Sequence, residues 1–109
     1  MTEMTLQELC KQIGVTRRAV QGYEKAKLVS STNKTESGYL LYNNFSIERI
    51  RLIKLYQEMG FSIKEIQEII DAPADILKSA LLRREEKLKE SVRHNRSMIV
   101  IIHEMIQTL

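Results

Sequence analysis

A chain of 109 residues is one domain's worth, or one small domain with an appendage, and an apolar fraction of 43% is ordinary for a soluble protein. The formal charge of +3 permits nucleic-acid binding without requiring it, because a solvated surface explains the same balance. The lone cysteine excludes an internal disulfide, MTEMTLQELC is no signal peptide, and SMIVII (97–102) is far too short for a bilayer span, so the chain reads as cytoplasmic, soluble and reduced.

Punctuation divides the chain into helices. Thr5 followed by Glu8 is a capping box, and Met4 stands at staple spacing from Leu9. Leu6, Leu9, Cys10 and Ile13 then form one apolar stripe that Gly14 ends. Thr16 caps a second helix at about 17–26, whose projection buries Ala19, Tyr23 and Ala26. The segment KTESGYLLY (34–42) reads as a tight hairpin, with Leu41 or its neighbour as the inward anchor. Ser46 is the expected cap of a third helix carrying Ile47, Ile50, Ile53 and Met59 and stopping at Gly60. Ser62 and Glu65 repeat the capping box, with Phe61 and Ile66 as the staple, and Pro73 closes that fourth helix.

Beyond about Asp75 there is neither proline nor glycine, which predicts a helix roughly 50 Å long at 1.5 Å per residue. Its apolar residues keep a 4-3 rhythm: Leu81, Leu88, Val92, then Asn95, Ile99, Ile102, Ile106 and Leu109. A 3.5-residue period marks a coiled coil, and the first four helices offer little surface to cover it, so pairing between two chains is favoured over folding back. Asn95, polar within the seam, is placed to set register across it.

The pair of helices at 5–26 has helix-turn-helix spacing. Cys10 is small and four residues before the turn glycine, Ile13 and Val15 flank Gly14, and Val20 and Tyr23 supply anchors on the second helix. Cys10 is therefore read as a small core residue, since no second cysteine or neighbouring histidine completes a metal or redox site. Arg17, Arg18, Gln21, Glu24 and Lys25 project away from the anchors. Arg and Gln read purine edges in the major groove, and Arg and Lys hold phosphates. Gly22 in mid-helix either admits a close approach or is tolerated. No catalytic constellation, phosphate-cradling loop or cofactor site stands out: His94 and His103 share no face with Cys10, and acids lie beside bases at helical spacing.

Taken together, TLQELCKQIGVTRRAVQGYEKAKLV (5–29), KTESGYLLYNNFSIERIRLIKLYQEMGFSIKEIQEII (34–70) and the terminal helix resemble the MerR family of bacterial transcription regulators. The turn IGVT, Tyr-Glu at 23–24, TESGYLLY and MGFSIKEI carry the resemblance. It implies a mainly α fold: a winged helix-turn-helix DNA-binding domain (1–73) with a short β-hairpin wing, then a long dimerisation helix (74–109) pairing as an antiparallel coiled coil. It further implies a homodimer on pseudo-palindromic promoter DNA, acting on RNA polymerase indirectly by bending and untwisting the promoter spacer. Residue by residue, Thr16 and Arg18 match recognition-helix contacts, and Tyr23 and Tyr39 match phosphate contacts. Lys34 lies on the wing, and Arg49 and Lys54 lie in the helix pair treated as a second wing.

The chain departs from that pattern at several places. Gln21-Gly22 stands where relatives commonly have Arg-Tyr, Leu40 where they carry a wing arginine, and Ser30-Ser31 where they carry prolines. Fewer phosphate contacts lower the salt slope of binding by about one unit each; Arg17 and Lys34 are placed to compensate. The cysteines of the family's metal and redox sensors are absent, and so is an appended drug-binding domain, which implies a short regulator or a chain cut before its effector domain. Two other readings stay open: a coiled-coil interaction module whose DNA face is vestigial, and an architectural, recombination-directing DNA binder.

Overall fold

The computed structural model describes residues 3–109, which fall into two compact units dividing after Asp71. The first holds β1 (Met4–Thr5), α1 (Leu6–Ile13), α2 (Arg17–Lys25), β2 (Asn33–Lys34), β3 (Leu40–Tyr42), α3 (Asn44–Glu58) and α4 (Ile63–Ile69). The second holds α5 (Ala74–Gln107).

Local chemistry starts each helix of the first unit. Thr5 accepts from the Glu8 backbone at 3.3 Å while Glu8 reaches back to the Thr5 amide at 3.0 Å, and Ser62 and Glu65 repeat the box at 3.1 and 2.9 Å. Gly14, at φ +79°, closes α1 in the left-handed conformation that a side chain disfavours. α2 ends in a Schellman arrangement, with Leu28 N–H bonded to Tyr23 C=O and Lys27 N–H to Glu24 C=O. There Lys27 adopts a φ of +60°.

The sheet has three antiparallel strands in the order β1-β3-β2, with Met4 opposite Tyr42 and Lys34 opposite Leu40. The hairpin alone was expected. The third strand comes from Met4 and Thr5, which the sequence assigned to staple and cap. The cap of α3 also differs: Asn43 accepts from Ser46 N–H at 3.0 Å, and Ser46 is one turn inside. Ser46 is buried and donates its hydroxyl to Ser30 C=O at 3.0 Å, holding the loop after α2. Pro73 precedes α5 as its N-cap position; α4 has already ended at Ile69.

The core of the first unit gathers Leu6 and Leu9 of α1, Val20 and Tyr23 of α2, Tyr42 of β3, Ile47, Ile50, Ile53 and Tyr56 of α3, and Ile66 and Ile69 of α4. Tyr56 and Phe61 meet edge to face, centroids 5.9 Å apart. Val20 and Tyr23 are buried on α2, whereas Ala19 and Ala26 are half-buried, so the inward face is rotated from the projected one. Cys10 is likewise only half-buried. On α5, Leu81 is half-buried, while Leu88, Val92, Asn95, Ile99, Ile102, Ile106 and Leu109 are exposed along the 4-3 seam. Glu85–Lys89 (3.8 Å) and Glu86–Arg93 (3.5 Å) are surface ion pairs of the kind that contribute little individually.

Candidate nucleic-acid interface

α2 presents a continuous polar face. Arg17, Arg18, Gln21 and Lys25 are all exposed on it. Thr16 caps the helix, its hydroxyl oxygen accepting from Ala19 N–H at 3.0 Å, which leaves the hydroxyl proton free to donate outward. Glu24, expected on this face, turns inward: its carboxylate accepts from the phenol of Tyr42.

The wing is shaped by its own backbone. Thr35 N–H bonds Tyr39 C=O at 2.9 Å, Gly38 N–H bonds Thr35 C=O at 2.9 Å, and Thr35 Oγ1 accepts from Tyr39 N–H at 3.0 Å. Gly38 sits at φ +88°, so the tip depends on a residue without Cβ. This turn leaves Tyr39 66% exposed at the tip, with Lys34 exposed on β2. A groove of about 430 Å³ runs between wing and α2, lined by Thr5, Gln7, Arg17, Tyr39 and Leu40 among others. It brings Arg17 and Tyr39 to one cleft, and Leu40 lies in its wall.

A second, shallower depression of about 320 Å³ brings together Thr16, Tyr23, Lys54 and Gln57. Tyr23 is 2% exposed, and its hydroxyl donates to Gln57 Oε1 at 2.6 Å. The residue expected at a phosphate is thus engaged within the protein, tying α2 to α3, and burial raises its phenol above the usual range. Lys54 is half-buried, with Nζ 3.9 Å from the Glu58 carboxylate.

Arg49 departs furthest from expectation. Its Nε donates to Leu28 C=O at 2.8 Å, and its two terminal nitrogens hold Asp71 at 2.6 and 2.7 Å. A guanidinium spent this way acts as a structural clamp within the first unit.

Sequence reasoning passed over three residues. Gln7 lines the groove beside Arg17 and carried no motif to flag it. Tyr42 is the buried hairpin anchor, the neighbour of Leu41 that the sequence had left open. Strand alternation offered a signal, since Tyr42 shares a face with Leu40 and not with Leu41. Glu24 was read as a surface charge. Burial, then the Glu24 hydrogen bond and charge, push the Tyr42 phenol well above its ordinary range. Burial also raises the Cys10 thiol, against a smaller lowering by Arg17.

Two family descriptions overlap on this architecture: "MerR HTH family regulatory protein" matches residues 4–73, and "MerR, DNA binding" matches residues 47–109. The chain belongs to the MerR family. The HTH-type transcriptional activator mta of Bacillus subtilis is 32% identical over 96 residues, spanning 88% of this chain and 35% of mta. The mercuric resistance operon regulatory protein of Bacillus cereus is 33% identical over 63 residues, or 58% of this chain and 48% of that protein. The chain thus spans between about a third and a half of the length of these two relatives. Among solved structures, the N-terminal part of the B. subtilis multidrug transporter activator, MtaN, superposes with TM-score 0.74 at 28% identity, covering 94% of this chain and 97% of MtaN. A MerR-family regulator from B. cereus reaches TM-score 0.83 at 24% identity, covering 98% and 82%. HiNmlR, a MerR family regulator lacking the sensor domain and bound to promoter DNA, shares the fold with TM-score 0.72 at 16% identity, covering 90% and 79%.

The MerR relatives that this chain matches are regulators of transcription. Among the described residues of this MerR chain, no group of three or more His, Cys, Asp or Glu side chains could hold a metal ion. No helix among them is long and apolar enough to cross a membrane.

Proposed function

We propose that this MerR-family chain is a homodimeric, sequence-specific regulator of transcription that reads promoter DNA with α2 and grips the flanking backbone with its wing. The observation that carries the reading is the single outward face bearing Thr16, Arg17, Arg18, Gln21 and Lys25, set beside a wing whose Tyr39 and Lys34 are exposed. Arg18 and Gln21 carry the donors that purine edges accept; Thr16, Arg17, Lys25, Lys34 and Tyr39 address phosphates. Tyr23 joins this set only if its hydroxyl is shared between Gln57 and a phosphate.

Self-association follows from α5. A 4-3 apolar seam from Leu81 to Leu109 fits an antiparallel two-stranded coil, with Asn95 opposing off-register pairing. Two wing-and-helix units joined this way address two half-sites, and bending and untwisting the spacer between them alters its fit to RNA polymerase. The promoter-bound HiNmlR, which shares this fold, supports the reading that such a domain acts on promoter DNA.

Arg18→Ala tests the reading: at low salt it weakens promoter binding by about 1–3 kcal/mol while the dimer persists. Unchanged affinity in a mobility shift removes α2 from the interface. The departures at Gln21, Gly22 and Leu40 favour, as a second reading, a coiled-coil interaction module whose DNA face is vestigial, which footprinting that finds no protected site while the dimer binds another protein would reveal.

A further inference from the structure

Two adjacent residues of α2 send side chains in different directions. Tyr23 donates to Gln57 of α3, and Glu24 accepts from Tyr42 of β3. Tyr42 is fully buried, and its strand pairs with β1 on one side and β2 on the other. Thr32 secures the strand's far end, its hydroxyl donating to Leu41 C=O at 3.2 Å and accepting from Asn43 N–H at 2.9 Å. A buried phenol leaves little freedom to slide, and a carboxylate acceptor makes its hydrogen bond a strong one.

We infer that Glu24 and Tyr42 form a positioning joint that fixes the wing relative to the recognition helix, so that Lys34 and Tyr39 meet the DNA backbone when Arg18 and Gln21 meet bases. The inference rests on the DNA-binding reading above. Neither residue touches DNA; each acts through the wing. The wing tip is short, Leu40 supplies no cation, and the remaining contacts depend on placement. Loosening the joint therefore costs phosphate contacts and spares base contacts.

The test is a salt titration of duplex binding combined with mutant cycles, using the full chain and its mapped site. Tyr42→Phe keeps the ring in the core and deletes the donor; it lowers affinity about tenfold and reduces the salt slope by roughly one to two units. Its effect vanishes on a Lys34→Ala/Tyr39→Phe background and adds in full to Arg18→Ala. Glu24→Gln, whose amide oxygen still accepts the phenol, retains the wild-type slope. A Tyr42→Phe loss that adds equally to the wing and helix variants marks general destabilisation and overturns the joint, as does an unchanged slope. Hydrogen exchange without DNA gives a second reading: Tyr42→Phe speeds exchange at Thr35 and Gly38 while α3 and α4 keep their rates, and a uniform change overturns the joint. A wild-type chain that binds no duplex at low salt overturns the functional reading instead, so the two failures are distinct.

Discussion

Arg49 closes a two-pronged ion pair on Asp71, Nη1 and Nη2 standing 2.6 and 2.7 Å from the two carboxylate oxygens. Nε of the same guanidinium bonds Leu28 C=O at 2.8 Å, so one side chain links the loop after α2, helix α3 and the residues beyond α4. Asp71 is 73% exposed, so solvent screening leaves the ion pair itself worth well under the energy of a buried one. The carbonyl bond is part-buried, and its loss leaves an acceptor unmet. Arg49→Ala should therefore cost about 1–2 kcal/mol of stability, read in urea melts, and leave the salt slope of DNA binding unchanged. A lower slope with unchanged stability would return Arg49 to the DNA interface.

Acid acts on the same clamp. The Arg49 hydrogen bond holds Asp71 below the usual carboxylate range, and the Thr5 capping box does the same for Glu8. A depressed folded pKa means stability that is present above the unfolded value and lost as pH falls through the folded one. Stability should hold from neutrality down to the ordinary carboxylate range and decline below it. Asp71→Asn and Glu8→Gln should each flatten that decline in pH-dependent thermal melts; melts of the variants parallel to wild type would contradict the assignment.

Gly14 and Gly22 differ in why they are glycine. A Cβ at Gly14 meets nothing closer than Lys54 Nζ at 3.8 Å, yet its φ of +79° strains any side chain. Gly14→Ala should cost about 1–2 kcal/mol. Gly22 has no atom within 4 Å of a built Cβ and ordinary helical geometry. Gly22→Ala should gain roughly 0.5–1 kcal/mol. Denaturant midpoints of the two variants should move in opposite directions.

Leu40 lines the groove that contains Arg17 and Tyr39, which the proposed function sets against the DNA backbone. Leu40→Arg should raise the salt slope of promoter binding by about one unit and tighten binding severalfold at low salt. A fluorescence-anisotropy titration across salt concentrations measures this, and an unaltered slope would place the wing away from phosphate.

Ile102 lies within the exposed seam of α5, 55% accessible in the isolated chain. A buried charge at a coil position is unpaired and desolvated, so Ile102→Asp should abolish self-association at micromolar concentration. Sedimentation of wild type and variant decides it: a wild-type monomer, or a variant dimer, rejects the seam. DNA affinity should fall with the dimer, because each half-site then binds alone.

The starts of α1, α2 and α4 were legible in the chain because their causes are local, whereas the cap of α3 proved to be Asn43 and not Ser46. Thr5-Glu8, Ser62-Glu65 and Thr16 cap with side chains one turn away, and Gly14 stops α1 through its own φ. Stripes at helical spacing located Leu9, Ile50, Ile53 and Ile66 in the core, and the IGVT and TESGYLLY motifs led to the family. What periodicity could not carry was the partner of a polar side chain far away in sequence. Arg49 and Glu24 look like surface charges on any helical projection. Only packing brought Leu28, Asp71 and Tyr42 against them and turned both inward. Met4 and Thr5 likewise became a strand only once Tyr42 and Leu41 lay alongside to complete their hydrogen bonds. Local hydrogen bonds and side-chain spacing are written in consecutive residues. Which charges remain free to meet DNA depends on groups that meet only when the chain has folded.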